Sequence, residues 1–157
     1  MAGLFREHGL SLVRLAVLLT GDRATAEDVV QDAFLGFQRA RPRLRDQDKA
    51  LAYVRTSVIN GCRSVLRTRG RVQPRRDEYD PPVSSAETAV MAEQDRRLVL
   101  AAVGRLPART REVLALRYYL DLPYEEIATV LGITKGTVSS TISRALTVLG
   151  RDLKEEL

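Results

Sequence analysis

The 157-residue sequence predicts an all-α fold. Leucine, arginine and alanine are its commonest residues, and all three favour helix. Apolar residues recur at spacings of three and four, whereas the two-residue alternation of a half-buried strand is scarce. Tryptophan is absent. The helical pattern breaks once for a long stretch, where Pro74, Pro81 and Pro82 stand among polar residues. The expected architecture is therefore two small helical domains, 1–69 and 87–157, joined by a flexible linker over 70–86. The C-terminal domain is expected to contain a helix-turn-helix.

Each element has its own warrant. Leu4 to Leu19 reads as a helix with Leu12, Leu15, Ala16 and Leu19 on one side, ended by Thr20, Gly21 and Asp22. A second helix follows, with Thr25 and Asp28 resembling a capping box and Ala26, Val29, Val30, Ala33, Phe34 and Phe37 forming an inward stripe. The adjoining face carries Glu27, Asp28, Gln31 and Asp32. Compensation of the helix dipole accounts for Glu27 and Asp28, but Asp32 lies too far into the helix. Residues 41–48 alternate charge around Pro42 and are expected to form a loop. Asp48 is then expected to cap a third helix with Leu51, Val54, Val58, Cys62 and Val65 turned inward, while Thr56, Asn60, Arg63 and Arg67 share a different face.

Beyond the linker, a helix is expected from near Glu87 to Gly104, and Pro107 suits the first turn of the next, which runs to about Tyr119 with Val113, Leu114 and Leu116 inward. The segment from Tyr124 to Leu146 then reads as a helix-turn-helix. Ile127, Ala128 and Leu131 make an apolar face, Gly132 supplies the left-handed turn, and Thr134 can cap a second helix. Val138, Ile142, Ala145, Leu146 and Leu149 follow the inward spacing of that helix, leaving short polar side chains outside. Such a face suits the DNA major groove, although a plain helical hairpin with a solvated face has the same pattern.

Composition narrows the function classes. The single cysteine, Cys62, excludes an internal disulfide and falls on an apolar side; the single histidine, His8, leaves almost nothing for a metal site or histidine chemistry. No apolar run approaches a membrane span and no signal peptide is evident, so a cytoplasmic protein without membrane insertion is expected. The net charge of +5 arises entirely before residue 70, and Arg41 to Arg69 carries eight basic and two acidic residues. A basic tract beside a helix-turn-helix points to phosphate contact.

Two segments carry a family resemblance. AEDVVQDAF (Ala26 to Phe34) and, beyond the linker, LPARTREVLALRYYLDLPYEEIATVLGITKGTVSSTISRA (Leu106 to Ala145) resemble the extracytoplasmic-function sigma factors of bacterial RNA polymerase. Short members of that family keep only conserved regions 2 and 4, matching the two domains above. The resemblance implies a non-enzymatic, cofactor-free sigma subunit that binds the polymerase core and directs initiation at a promoter class. Asp28, Gln31 and Asp32 would dock on the polymerase clamp. The minus 10 element would be recognised and melted by Arg41, Arg43, Arg45, Tyr53, Asn60, Arg63 and Arg67, with core packing an equal alternative for Tyr53. Thr134, Lys135, Thr137, Ser140, Thr141 and Arg144 would read the minus 35 element while the same domain contacts the flap. An anti-sigma factor is a common further partner in this family.

Two departures qualify the match. Pro123 stands where relatives often have a capping serine or threonine, and Ser139, Ser140 and Thr141 stand where many have an arginine or lysine. Base readout would then lean on Lys135, Arg144, hydroxyls and DNA shape. A stand-alone helix-turn-helix regulator leaves the acidic helix, basic helix and linker unexplained. A protein-binding adaptor leaves the basic tract unexplained, and a nucleotide enzyme lacks a phosphate-cradling glycine loop.

Overall fold

The computed structural model describes residues 2–40, 46–69 and 86–156, the side chains of residues 2, 86–91 and 156 excepted. Arg41, Arg43 and Arg45, together with positions 70–85 of the expected linker, lie outside the described residues. All regular elements among the described residues are helical.

Helices α1 (Ala2–Thr20), α2 (Arg23–Ala40) and α3 (Gln47–Thr68) pack pairwise into an N-terminal bundle. The expected stripes build its core: Leu12, Leu15, Ala16 and Leu19 from α1, the six apolar residues of α2, and Val54, Val58 and Cys62 from α3 are all buried. Burying each leucine, valine or phenylalanine among them stabilises the fold by about 1.5 to 3 kcal/mol. Gly61 fixes how closely α2 and α3 approach, since a Cβ built there would lie 2.8 Å from Val29 Cγ1.

The start signals of α2 and α3 differ from those expected. Gly21, at φ 77°, turns the chain sharply and brings Asp22 ahead of the free amides of α2. The Asp22 carboxylate accepts from Ala24 N at 3.1 Å and from the Thr25 hydroxyl, so Asp22 does the capping and Thr25 supports it from inside the helix. Likewise Asp46, extended at φ −85° and ψ 125°, accepts from Asp48 N at 2.9 Å and caps α3 in place of Asp48. Asp48 sits within the first turn, where its charge suits the helix dipole.

The C-terminal domain comprises α4 (Ala86–Gly104), α5 (Ala108–Leu114), a π-helical turn (Ala115–Tyr119), α6 (Tyr124–Leu131) and α7 (Lys135–Glu156). The π turn, closed by Leu120 N donating to Ala115 O at 3.2 Å, ends the run that the sequence shows as one helix to Tyr119. Asp121 follows with φ 54° and redirects the chain towards α6. Arg117 steadies the bend: its Nη1 donates to Leu122 O at 3.1 Å, and its guanidinium lies 5.3 Å from the centre of the Tyr124 ring.

The two domains are packed against each other. One buried apolar cluster runs from Leu12, Val30 and Cys62 of the N-terminal bundle through Val113, Leu116, Ile127 and Val138 of the C-terminal domain. Helix α3 meets α6, and α1 meets α5 and the π turn. A smaller cluster of Leu106, Leu114 and Ala145, with Leu149 against it, closes the far side.

Candidate nucleic-acid interface

The helix-turn-helix is built by four devices. Pro123 precedes α6 without a side-chain cap, and Glu125 and Glu126 in the first turn complement the dipole instead. Gly132 ends α6 at φ 68°, and Ile133 N donates to Ala128 O at 3.0 Å to close the turn. Arg109 reaches across from α5 to donate to Leu131 O at 3.0 Å, satisfying a terminal carbonyl. Thr134 then caps α7, its hydroxyl accepting from Thr137 N at 3.1 Å, as the sequence suggests.

Val138, Ile142 and Ala145 hold α7 against the domain. Leu146, expected inward, is 48% exposed, because Ile142 and Ala145 define the seam and carry Leu146 round to its side. Thr134, Lys135, Thr137, Ser140 and Arg144 are exposed on α7 and its cap, with Thr141 half-buried. These positions share the outer surface of α7. Several are internally engaged: Ser140 Oγ donates to Thr137 O at 3.2 Å, and Arg144 Nε lies back along the helix, 3.4 Å from Ser140 O. Lys135 Nζ donates to Glu125 at 2.7 Å, and this bond, with the ammonium charge, holds the Glu125 carboxyl below its ordinary pKa. Both side chains are well exposed, so a polyanion can take the lysine at little cost.

The face of α3 divides in two. Tyr53, Asn60 and Arg67 are exposed along one strip, with Thr56 half-buried beside them. Tyr53 leans on the buried Phe37 ring, centroids 6.2 Å apart, yet keeps 39% of its surface open, so it is neither a core residue nor free of packing. Arg63 lies at the edge of this strip, against the C-terminal domain. Its Nε and Nη2 each donate at 2.8 Å to a different oxygen of Glu112, whose side chain is only 5% exposed. The bonds to Glu112 raise the Arg63 pKa against the opposing effect of burial. About two turns earlier, Arg55 stands 3.7 Å from Glu126 of α6 with a side chain 16% exposed; desolvation lowers its pKa, and its Nε is buried without a hydrogen-bond partner.

Glu112 is the residue that sequence reasoning missed. The available signal is its register, since it falls beside Val113 and four residues before Leu116, on the inward side of α5. Cys62, next to Arg63, is fully buried, and burial followed by the Glu112 charge pushes its thiol up to about 12, which makes it an inert core residue.

The acidic residues of α2 stand apart from these contacts. Asp28, Gln31 and Asp32 are exposed on one face, with Leu35, 46% exposed, one turn further on. The buried stripe from Ala26 to Phe37 holds that face rigidly outward.

Comparison with known proteins accounts for both halves. Residues 4–72 match the family described as Sigma-70 region 2, and residues 96–149 match Sigma-70, region 4. The ECF RNA polymerase sigma factor SigL of Mycobacterium tuberculosis is 36% identical over 160 residues, covering 99% of this chain and 89% of its own length. The RNA polymerase sigma-E factor of Streptomyces coelicolor is 31% identical over 143 residues, covering 91% of this chain and 80% of that protein. Among solved structures, the sigma factor RpoE of Bartonella quintana, in complex with the anti-sigma factor NepR, matches with a TM-score of 0.78 and 25% identity over 98% of each chain. CnrH, in complex with the cytosolic domain of CnrY, matches with a TM-score of 0.74 and 26% identity, covering 99% of this chain and 88% of its own.

Proposed function

Because the chain belongs to the extracytoplasmic-function sigma factors of RNA polymerase, we propose a division of labour among its helices. Transcription initiation at a promoter class is the activity, and the protein supplies specificity while the polymerase supplies the chemistry. The observation that carries the assignment is the coexistence of two outward polar faces on rigid helices: the acidic face of α2 and the hydroxyl-rich face of α7.

Asp28, Gln31 and Asp32 dock on the polymerase clamp, where their charge favours a basic partner surface. Tyr53, Asn60, Arg63 and Arg67 of α3, with Arg41, Arg43 and Arg45 ahead of it in sequence, bind the minus 10 element. Melting unpairs bases at a few kcal/mol each, and stacking on an aromatic ring returns about 1 to 3 kcal/mol per base. The contact of Tyr53 with the Phe37 ring and its partial exposure support that role. Helix α7 enters the major groove of the minus 35 element through Lys135, Arg144 and the Thr134, Thr137, Ser140 and Thr141 hydroxyls, and the rest of that domain meets the flap. The protein works in the cytoplasm beside the polymerase, and no helix among the described residues is long and apolar enough to cross a membrane. An anti-sigma factor is a third partner, supported by the whole-chain likeness to RpoE and CnrH, each solved with such a protein or a partner domain.

The test is direct binding of fluorescently labelled protein to core polymerase. Saturable one-to-one binding that is competed by another sigma factor supports the assignment; protein that stays free at micromolar core contradicts it.

A further inference from the structure

The ion pair between Arg63 and Glu112 joins residues of different domains and uses a guanidinium that the reading above assigns to promoter DNA. Glu112 offers Arg63 what a phosphate would: two anionic oxygens in the fork geometry that arginine matches. Glu126 stands 3.7 Å from Arg55, nearer the start of α3, and makes a second, looser ion pair between the domains. We propose that Glu112 acts as an internal phosphate mimic, latching the C-terminal domain over Arg63 so that the free protein is closed to nucleic acid until the latch breaks. The proposal rests on the assignment of α3 to the promoter.

Three features make the contact a switch and not a permanent joint. Arg63 makes both hydrogen bonds to a carboxylate only 5% exposed, and Arg109 of the same helix stands off at 4.0 Å, so opening must hydrate Glu112 as it frees Arg63, and the two events are coupled. The second pair is poorly satisfied, with a 3.7 Å separation and the orphaned Arg55 Nε, which disfavours the closed state and keeps it from being over-stabilised. Arg63 itself retains 30% exposure of its side chain, so an incoming phosphate can approach while Glu112 is still bound. Asn60 and Arg67, already open on the same face, give a polyanion its first foothold. The likeness to RpoE and CnrH over nearly the whole of this chain extends across both domains.

The experiment uses the full chain and two variants, Glu112→Gln and the double variant Glu112→Gln with Glu126→Gln, which keep side-chain volume and leave every proposed DNA contact in place. Small-angle scattering reads the conformation, and fluorescence anisotropy reads binding of a labelled single-stranded DNA 20-mer of mixed sequence without polymerase. The wild-type radius of gyration should lie near the roughly 15 Å of a compact chain of this length. The variants should expand and bind the 20-mer about fivefold more tightly, as expected if the competent fraction rises from about a fifth towards one. Run-off transcription at saturating core should be unchanged. Variants that keep the wild-type radius and affinity overturn the latch. Variants that expand without any gain in DNA affinity overturn the mimicry and locate the failure in the assignment of α3 to DNA. Loss of transcription together with weaker DNA binding marks Glu112 as merely structural and likewise overturns the proposal.

Discussion

Arg69, the C-cap of α3, donates from Nη2 to Asp22 Oδ2 at 3.0 Å, and the same guanidinium reaches the Thr25 hydroxyl and, at 3.4 Å, the Thr20 carbonyl. One arginine thus ties the end of α3 to the α1–α2 turn. Asp22 serves two purposes there, capping α2 and anchoring α3, and each holds the outward faces of those helices in register.

Asp22→Ala should therefore destabilise the protein by about 1 to 2 kcal/mol, the sum of a lost cap and a partly exposed ion pair. The Thr25 hydrogen bond, opposed by desolvation and helped by Arg69 and the Ala24 amide, lowers the Asp22 pKa in the folded state. A lowered folded value means that the contribution is full above the unfolded carboxylate pKa of about 3.9 and is lost as pH falls through the folded value. Urea titrations at neutral pH and in acid should show the gap between wild type and variant narrowing below about pH 3.9. A gap that widens in acid contradicts this origin.

Asp28→Arg combined with Asp32→Arg should weaken binding to core polymerase by about tenfold or more, equivalent to about 1.4 kcal/mol. Both carboxylates are exposed and have only solvent-side roles in the free protein, so thermal stability should change little. Equal core affinity in a titration of labelled protein would remove α2 from the clamp interface.

Arg144→Ala should lower promoter-specific transcription by about tenfold, within the range of one lost bidentate base contact, while core affinity stays constant. Arg144 folds back along its own helix, its Nε 3.4 Å from Ser140 O, so its removal should leave the fold intact. Equal losses in transcription and core binding would move α7 out of the groove.

Periodicity carries most of the helical architecture. The inward stripe of α2 and the seam of α7 through Val138, Ile142 and Ala145 follow from spacing alone, as does the left-handed Gly132. Helix starts are less legible, because Asp22, Thr25, Asp46 and Asp48 are all chemically fit to cap and only turn geometry decides which side chain faces the free amides. Leu146 shows the limit of a hydrophobic stripe: its spacing is right, but the buried seam runs through Val138, Ile142 and Ala145 and leaves Leu146 exposed beside it. The exposure of Asp28, Gln31 and Asp32 could be read from their register against the buried stripe. Arg63 and Glu112 could not be paired in advance, since they are 49 positions apart and their contact depends on how two domains close.

The central claim is that this chain gives promoter specificity to a polymerase that lacks it. Run-off transcription by core enzyme from genomic fragments, with and without the protein, tests that claim most directly when the 5′ ends are mapped. New start sites should appear only with the protein and share two upstream elements. An active core that initiates nowhere new in the presence of folded, core-bound protein would contradict that claim.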